Sequence, residues 1–172
     1  EVLKLQPKGV SDFLLQTSIL DRLCGPLCEA VLEAEGAAAV DGQSMLESLE
    51  EMNLFTIPLD DERHWYRYHH LFSDVLRKRL EHQSRQLLPE LHRRASRWYE
   101  QNEFLAESVQ QAIAAGDQDR AAGLIEQNGC FLLMSGEVAT LLGWTDAIDF
   151  QSEVRPWLAI QKAWALAISG DL

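Results

Sequence analysis

Apolar residues recur at helical spacing through the first third of the chain, with short polar breaks between the runs. Ser11 is predicted to begin and cap a short helix whose apolar surface is Phe13-Leu14-Leu15. A second helical stretch covers 21–32, interrupted at Gly25-Pro26, where a new helix can start. A loop at 36–39 then precedes a third helix over 42–52, predicted from the spacing of Met45, Leu46, Leu49 and Met52.

After the third helix, the pattern changes to two short runs of β-forming residues. Residues 54–57 and 65–68 are rich in β-branched and aromatic types, and they flank the polar turn Asp60-Asp61-Glu62. An amphipathic helix follows, with Arg77-Lys78-Arg79 on its outer side and its apolar positions at Leu71, Val75, Leu76 and Leu80. Helices followed by a small hairpin predict a winged-helix domain, which we assign to residues 1–83.

The remaining residues, 84–172, predict antiparallel helical repeats, so the fold class is mainly α. Two helical stripes open this region: Leu88, Leu91, Ala95, Trp98 and Tyr99, then Leu105, Val109, Ala112 and Ile113. Asp117 can cap a third helix, and two more are predicted over 137–148 and 155–168. The turns at Gly116-Asp117 and Gly170-Asp171 share a signature, as in tetratricopeptide-type repeats. The Trp and Leu stripes are interpreted as core.

Charge is unevenly distributed along this acidic chain, whose formal net charge is −12. Residues 63–100 carry 9 basic and 4 acidic side chains, whereas residues 1–62 carry 3 and 13. A net negative charge disfavours general binding to nucleic acid or to a membrane surface, since such binding depends on Lys and Arg. The basic block is either a solvated helical face or a surface that meets an anion or a partner.

Most common catalytic motifs are missing from the sequence, and we expect no enzymatic activity from it. There is no Gly-rich phosphate loop, no Gly-x-Ser-x-Gly elbow and no His-Glu-x-x-His motif. Cys24, Cys28 and Cys130 form no disulfide framework and are interpreted as buried apolar thiols in a reducing cytosol. No signal peptide and no 18-residue apolar run is present, which favours a cytoplasmic location without a membrane contact. Without an initiator Met, the chain is expected to be a piece of a longer protein.

The candidate functional residues of the hairpin region are three histidines, His64, His69 and His70. A metal site is disfavoured because adjacent side chains on a regular element diverge, and the acidic turn before them is interpreted as exposed. His69 differs, because it stands where hairpin meets helix, and the N–H groups of a helix start favour anions. It either donates a hydrogen bond to a phosphate on a neighbouring domain or holds the hairpin to the helix.

Several runs, in order along nearly the whole chain, resemble the MalT-type regulators, large ATP-binding transcriptional regulators of the LuxR family. The resemblance lies in Phe13–Leu23, in Asn53–Phe55 with Pro58–Asp60, in Trp65–Phe72, in Leu88–Ala95 and in Ala112–Asp117. It implies a nucleotide-binding domain before this chain, a winged helix and the first repeats of a helical sensor within it, and a DNA-binding helix-turn-helix after it. The chain itself then holds no cofactor, while the full-length protein binds ATP or ADP.

The resemblance also implies a role for His69. In related switch ATPases, the His of a Met-His-Asp motif in the winged helix contacts the β-phosphate of ADP, and Tyr68-His69-His70 stands at the corresponding place. His70 departs from the Asp of that motif. The implied partners are the protein's own nucleotide-binding domain, an inducer or inhibitory protein at the sensor, and further copies on activation, with DNA reached only through the C-terminal domain.

Two other functions are considered from the sequence. The repeats could form a scaffold that binds peptides or proteins and has no nucleotide role. Alternatively, the winged helix could read DNA directly, but its recognition helix would then be 41–52, which carries Asp41, Glu47, Glu50 and Glu51 and no Lys or Arg. That charge is unsuited to a phosphate backbone.

Overall fold

The computed structural model describes residues 6–32, 41–149 and 155–170, and it divides the chain into two compact units, Glu1–Trp98 and Tyr99–Leu172. The predicted loop at 36–39 lies outside the described residues. Within them the fold is mainly helical with one two-stranded antiparallel sheet, which confirms the predicted fold class. The predicted domain boundary after Gln83 stays a prediction. None of the described helices is both long and apolar enough to cross a membrane.

The first unit opens with three helices: α1 (Lys8–Thr17), α2 (Gly25–Leu32) and α3 (Gly42–Glu51). The prediction that Ser11 caps α1 is wrong. The helix begins earlier, because the Ser11 N–H already donates to the Pro7 carbonyl at 3.0 Å. Helices α2 and α3 approach so closely that a Cβ at Gly42 would lie 3.0 Å from the carbonyl carbon of Gly25. Two glycines therefore permit this packing.

A hairpin follows, formed by β1 (Thr56–Pro58) and β2 (Tyr66–Tyr68), which pair Ile57 with Arg67 at the centre of the register. Leu23 adds a third backbone partner. Its N–H and C=O exchange hydrogen bonds with Tyr66 at 2.7 and 2.8 Å. The hairpin is thereby joined to the segment between α1 and α2, as the winged-helix prediction requires.

Helix α4 (His70–Ser84) continues directly from the hairpin and is followed by a 3₁₀ turn (Arg85–Leu87) and by α5 (Leu88–Gln101). The predicted apolar side of α4 is only half right. Leu76 and Leu80 are buried together with Ser73, whereas Leu71 and Val75 are exposed. The helix turns the arc of Ser73, Leu76 and Leu80 inward, and Leu71 and Val75 lie outside that arc.

The core of the first unit is aliphatic and aromatic, and it confirms most of the predicted inward positions. Its members include Phe13, Leu14, Leu23, Leu27, Val31, Leu46, Leu49, Tyr66, Leu76, Leu80, Leu91 and Ala95. Cys24 and Cys28 are buried within this unit as predicted, and burial raises the pKa of both thiols. Cys130, in the second unit, is exposed, so its prediction as a buried thiol is wrong.

The second unit contains α6 (Leu105–Ala114), α7 (Gln118–Met134), α8 (Val138–Asp146) and α9 (Pro156–Ser169). Asp117 caps α7 as predicted, accepting the Arg120 N–H at 3.1 Å. Three turns use a left-handed glycine, at Gly116, Gly136 and Gly170. The sequence signature identified the first and third and missed Gly136, which Glu137 follows in place of Asp. The likeness to tetratricopeptide repeats stays a prediction.

The core of this unit lies among α6, α7, α8 and α9, and small residues are frequent in it. It comprises Val109, Ala112, Ala121, Ala122, Leu124, Ile125, Leu132, Leu141, Ile148, Leu158 and Ala165. Alanine at these positions permits close helix contact. One polar residue, Gln161, is also buried here, where α9 packs on α7.

Candidate functional site

The candidate site is the junction of β2 and α4, where His69 is the N-terminal cap residue of the helix. The backbone of His69 is held from two sides. Its N–H donates to the Phe55 carbonyl at 2.8 Å, and its carbonyl accepts the N–H groups of Phe72 and Ser73 at 2.9 and 3.0 Å. Main-chain bonds therefore join the hairpin to the helix at this point, and they do so without the imidazole.

The His69 imidazole is half-buried and makes no capping hydrogen bond to its own helix. It stacks on the exposed ring of His70, with the ring centroids 4.4 Å apart and an interplanar angle of 29°. His64 lies on the exposed turn of the hairpin. No group of three or more His, Cys, Asp or Glu side chains suited to a metal ion occurs within 6–32, 41–149 and 155–170.

The acidic turn of the hairpin stabilises the local backbone through Asp60. The Asp60 carboxylate accepts the backbone N–H groups of His64 at 2.8 Å and of Trp65 at 3.2 Å, and Leu59 donates to the Trp65 carbonyl at 2.7 Å. Asp61 and Glu62 are exposed. The Asp60 carboxylate thus fixes the entry into β2.

Phe55, next to the site, has a strained backbone. Its φ is +58°, in the left-handed region that bulky side chains rarely adopt. The same residue offers the carbonyl that accepts the His69 N–H, and its ring lies 5.0 Å from the ring of Phe72. Strain of this kind persists only where the surroundings enforce it, and it is common near functional sites.

Strand β2 is also fixed by the side chain of Tyr68, which is buried on the same side of the strand as Tyr66. The Thr17 hydroxyl donates to the Phe13 carbonyl and, at 2.7 Å, accepts from the Tyr68 hydroxyl. Burial raises the pKa of Tyr68 strongly, so this phenol remains a donor at any physiological pH. Together with the Tyr66–Leu23 pairing, this bond leaves His69 at the end of a strand with little freedom to move.

The basic block of residues 63–100 divides into two groups. The Arg77 guanidinium donates to the Ser18 carbonyl and to the Asp21 carboxylate, both at 2.7 Å, so it serves the fold. Arg94 likewise donates to the Val31 carbonyl at 3.2 Å. A second group is exposed on β2, α4 and the segment that follows: Arg67, Lys78, Arg85 and Arg97. Part of the block thus has a structural role that neither interpretation included, and the exposed group is compatible with both a solvated face and a surface that meets an anion or a partner.

An aromatic cluster that the sequence did not identify lies beside the hairpin. The guanidinium carbon of Arg22 lies over the Trp65 ring, 4.7 Å from its centroid. The Trp65 and Trp98 rings meet edge-to-face, with their centroids 6.4 Å apart. These three residues are far apart in sequence, and no local pattern links them. The only signal was the presence of Trp at both positions.

In the second unit, α9 exposes a stripe of large apolar side chains. Trp157, Ile160, Trp164 and Ile168 recur at helical spacing and are 45–65% exposed. The buried arc of the same helix is formed by Leu158, Gln161 and Ala165. An exposed apolar stripe on a helix is a candidate interaction surface.

Comparison with known proteins gives two findings. Residues 1–88 match the family model of the MalT winged helix domain. Over 162 residues the chain is 38% identical to the serine/threonine-protein kinase PknK of Mycobacterium tuberculosis (strain ATCC 25618 / H37Rv) and to that of Mycobacterium bovis (strain ATCC BAA-935 / AF2122/97). The match covers 94% of this chain and 14% of each kinase, so the chain spans about a seventh of the length of these relatives.

Proposed function

The chain belongs to the MalT winged helix domain family, and on that premise we propose that it is the central regulatory portion of a large ATP-dependent transcriptional regulator of the LuxR family. Its winged helix holds the resting, ADP-bound state, and its helical repeats begin a sensor for an inducer or an inhibitory partner. Binding at the sensor shifts the balance between a closed state and an open, self-associating one. The chain itself performs no catalysis.

The observation that carries this proposal is the state of His69. The backbone of this residue is fixed by three hydrogen bonds, while its ring makes no capping bond to α4. The imidazole also stands at a helix N-terminus, where the helix dipole and the N–H groups favour an anion. An imidazole on a fixed backbone, with no capping bond to its own helix, is suited to donate to a phosphate on the neighbouring nucleotide-binding domain.

One exposed basic side chain close to the site supports the same partner. Arg67 lies on β2, two residues before His69. The acidic helix α3, in contrast, has no Lys or Arg that could approach a phosphate backbone. A nucleotide-bearing domain is therefore favoured over DNA as the partner of the winged helix, and DNA is bound by a separate C-terminal domain of the full-length protein.

The test is the rate of ADP release from the full-length protein. Loss of one hydrogen bond to a charged group costs about 1.5–3 kcal/mol, so His69→Ala should speed ADP dissociation by roughly 10- to 150-fold. Basal transcription should rise in the same variant. His82→Ala is the matched control, since His82 is an exposed histidine in the last turn of the same helix.

The proposal fails if His69→Ala releases ADP at the wild-type rate and leaves basal transcription unchanged. An equal effect of His82→Ala would also count against it, because it would indicate general destabilisation of α4. Direct DNA binding by the winged helix is tested with the isolated chain. A mobility shift at low salt that weakens as salt rises would favour it.

The likeness to PknK favours a second candidate for the output of the full-length protein. PknK is 38% identical to this chain over 94% of its length. In this second candidate, the winged helix and the repeats regulate a kinase in the full-length protein, in place of a LuxR-type DNA-binding domain. The sequence that flanks the chain in its gene decides between the two. A kinase motif set would favour the second, and a C-terminal helix-turn-helix the first.

The exposed stripe on α9 favours a third candidate, a helical scaffold that binds proteins without a nucleotide role. Replacing Trp157 and Trp164 by Ala should then abolish capture of the partner, while nucleotide should leave the shape of the full-length protein unchanged. A shape that changes with ADP or ATP, measured by small-angle scattering, would exclude this candidate.

A further inference from the structure

We propose that Trp65 and Trp98 are positioning residues for His69, so that helix α5 and the hairpin that ends at His69 move as one body. The inference rests on the proposed function for the role of His69, and it adds the path by which that residue is controlled. The path runs through an aromatic contact that lies wholly within the first unit.

The contact begins at the entry to β2. Trp65 immediately precedes the strand, and its ring contacts both the Arg22 guanidinium, 4.7 Å from the ring centroid, and the Trp98 ring, with the centroids 6.4 Å apart. The two indoles meet at 79°, an edge-to-face arrangement that is favourable for aromatic pairs. The Arg22 guanidinium over the Trp65 ring adds a cation–π attraction to the same indole.

Helix α5 is fastened to the winged helix at two points on one face. Arg94 and Trp98 are four residues apart and therefore project from the same side of the helix. Arg94 donates to the carbonyl of Val31, near the end of α2, at 3.2 Å, while its Nε pairs with Glu90 at 3.1 Å. Trp98 makes the second attachment, to the hairpin. Movement of α5 must strain both.

Strand β2 connects Trp65 to His69 over a short and well-anchored span. Only three residues separate Trp65 from His69, a span of about 13 Å in an extended strand. Within that span Tyr66 is paired with Leu23, and Tyr68 is bonded to Thr17. Trp65 and His69 are therefore held in one fixed arrangement, and loss of the Trp98 contact at Trp65 removes part of the support of the strand that ends at His69.

Helix α5 has residues in both units. The division into units falls after Trp98, inside α5, so the same helix continues into the second unit at Tyr99. Tyr99 is buried, and its carbonyl accepts the Phe104 N–H at 2.9 Å.

The first experiment follows the His69 ring in the chain itself by NMR. The Hε1 resonances of His69 and His82 are assigned with the two alanine variants and compared in Trp98→Ala and Trp98→Phe. We expect Trp98→Ala to shift the His69 resonance, Trp98→Phe to shift it less because a ring is retained, and His82 to stay unmoved. If Trp98→Ala loses its helical circular dichroism, Trp98→Phe alone decides. A His69 resonance that is unmoved in a folded variant overturns the proposal.

The second experiment measures ADP release from the full-length protein in Trp98→Ala, His69→Ala and the double variant. Trp98→Ala should speed release by about 2- to 10-fold, from the usual strength of an aromatic pair, and should add nothing once His69 is gone. Additive effects in the double variant would overturn the coupling. If His69→Ala alone leaves release unchanged, the proposed function fails, while the NMR result still decides whether α5 and the hairpin are coupled.

Discussion

The packing of α9 on α7 depends on the absence of a side chain at Gly129, and Gly129→Ala tests this directly. A Cβ at this position would lie 2.5 Å from Cδ and 2.9 Å from Nε2 of Gln161, well inside van der Waals contact. Gln161 is buried and donates from Nε2 to the Glu126 carbonyl at 3.0 Å. The amide cannot remain where it is once the methyl group is added.

The expected loss of stability follows from two contributions. Displacing a buried amide from its hydrogen bond costs about 1–3 kcal/mol, and because the clashing atoms are the end of a flexible side chain, its movement relieves the overlap. The better helix propensity of Ala returns about 1 kcal/mol. Gly129→Ala should therefore lower the free energy of unfolding of the second unit by about 1 kcal/mol.

Gly123→Ala, on the same helix, is the matched control. A Cβ there meets only the Arg155 Nη1 atom at 3.8 Å, which is an ordinary contact. Only the better helix propensity of Ala then acts, so Gly123→Ala should raise the free energy of unfolding by about 1 kcal/mol. Urea unfolding followed by far-ultraviolet circular dichroism measures both variants. Removing the opposing amide with Gln161→Ala should cost less in the Gly129→Ala background than in the wild type. If Gly129→Ala is as stable as Gly123→Ala, the described contact is wrong.

Two further predictions concern the first unit. At Phe55, whose φ is +58°, Phe55→Gly should be more stable than Phe55→Ala by about 1 kcal/mol, the reverse of the usual order, because only Gly accepts this backbone freely; equal thermal stability of the two variants would contradict the strained geometry. At Glu90, burial acts to raise the pKa of the carboxyl, but hydrogen bonds and charge from Arg93 and Arg94 outweigh it and lower the pKa. The Glu90 contribution to stability is thus present above the unfolded pKa of about 4.3 and is lost as pH falls through the folded pKa, so the difference in urea midpoint between wild type and Glu90→Gln should close at low pH. A difference independent of pH would show that the ion pairs do not stabilise the fold.

Much of the fold could be predicted because it follows from local pattern. The spacing of Leu46 and Leu49 identifies α3, and the β-forming runs on either side of Asp60 identify the hairpin within one or two residues. The start of α1 could not be placed, because Pro7 begins the helix without a side-chain cap and Ser11 offered a more obvious one.

Which arc of a helix faces inward was harder to predict, since it depends on distant packing. In α4 the polar Ser73 is buried and Val75 is exposed, against their hydrophobicity. In α9 two apolar arcs lie side by side, and burial of Gln161 in one of them requires Gly129 on another helix. No periodicity in α9 alone contains that information.

The candidate site could be located from sequence, but its geometry could not. His69 was identified by its position after the hairpin. The backbone of His69, and not its imidazole, joins the hairpin to the helix, because its N–H donates to the carbonyl of Phe55. No sequence pattern predicts the left-handed conformation of Phe55. The Trp65–Trp98 contact likewise joins residues that only the fold brings together.

The most direct test of the account is the distance from the His69 imidazole to the nucleotide in a structure of the full-length protein bound to ADP. We predict that a ring nitrogen of His69 lies within about 3.2 Å of a β-phosphate oxygen. A His69 ring that faces solvent or protein away from the phosphates, with ADP bound, would contradict the central claim.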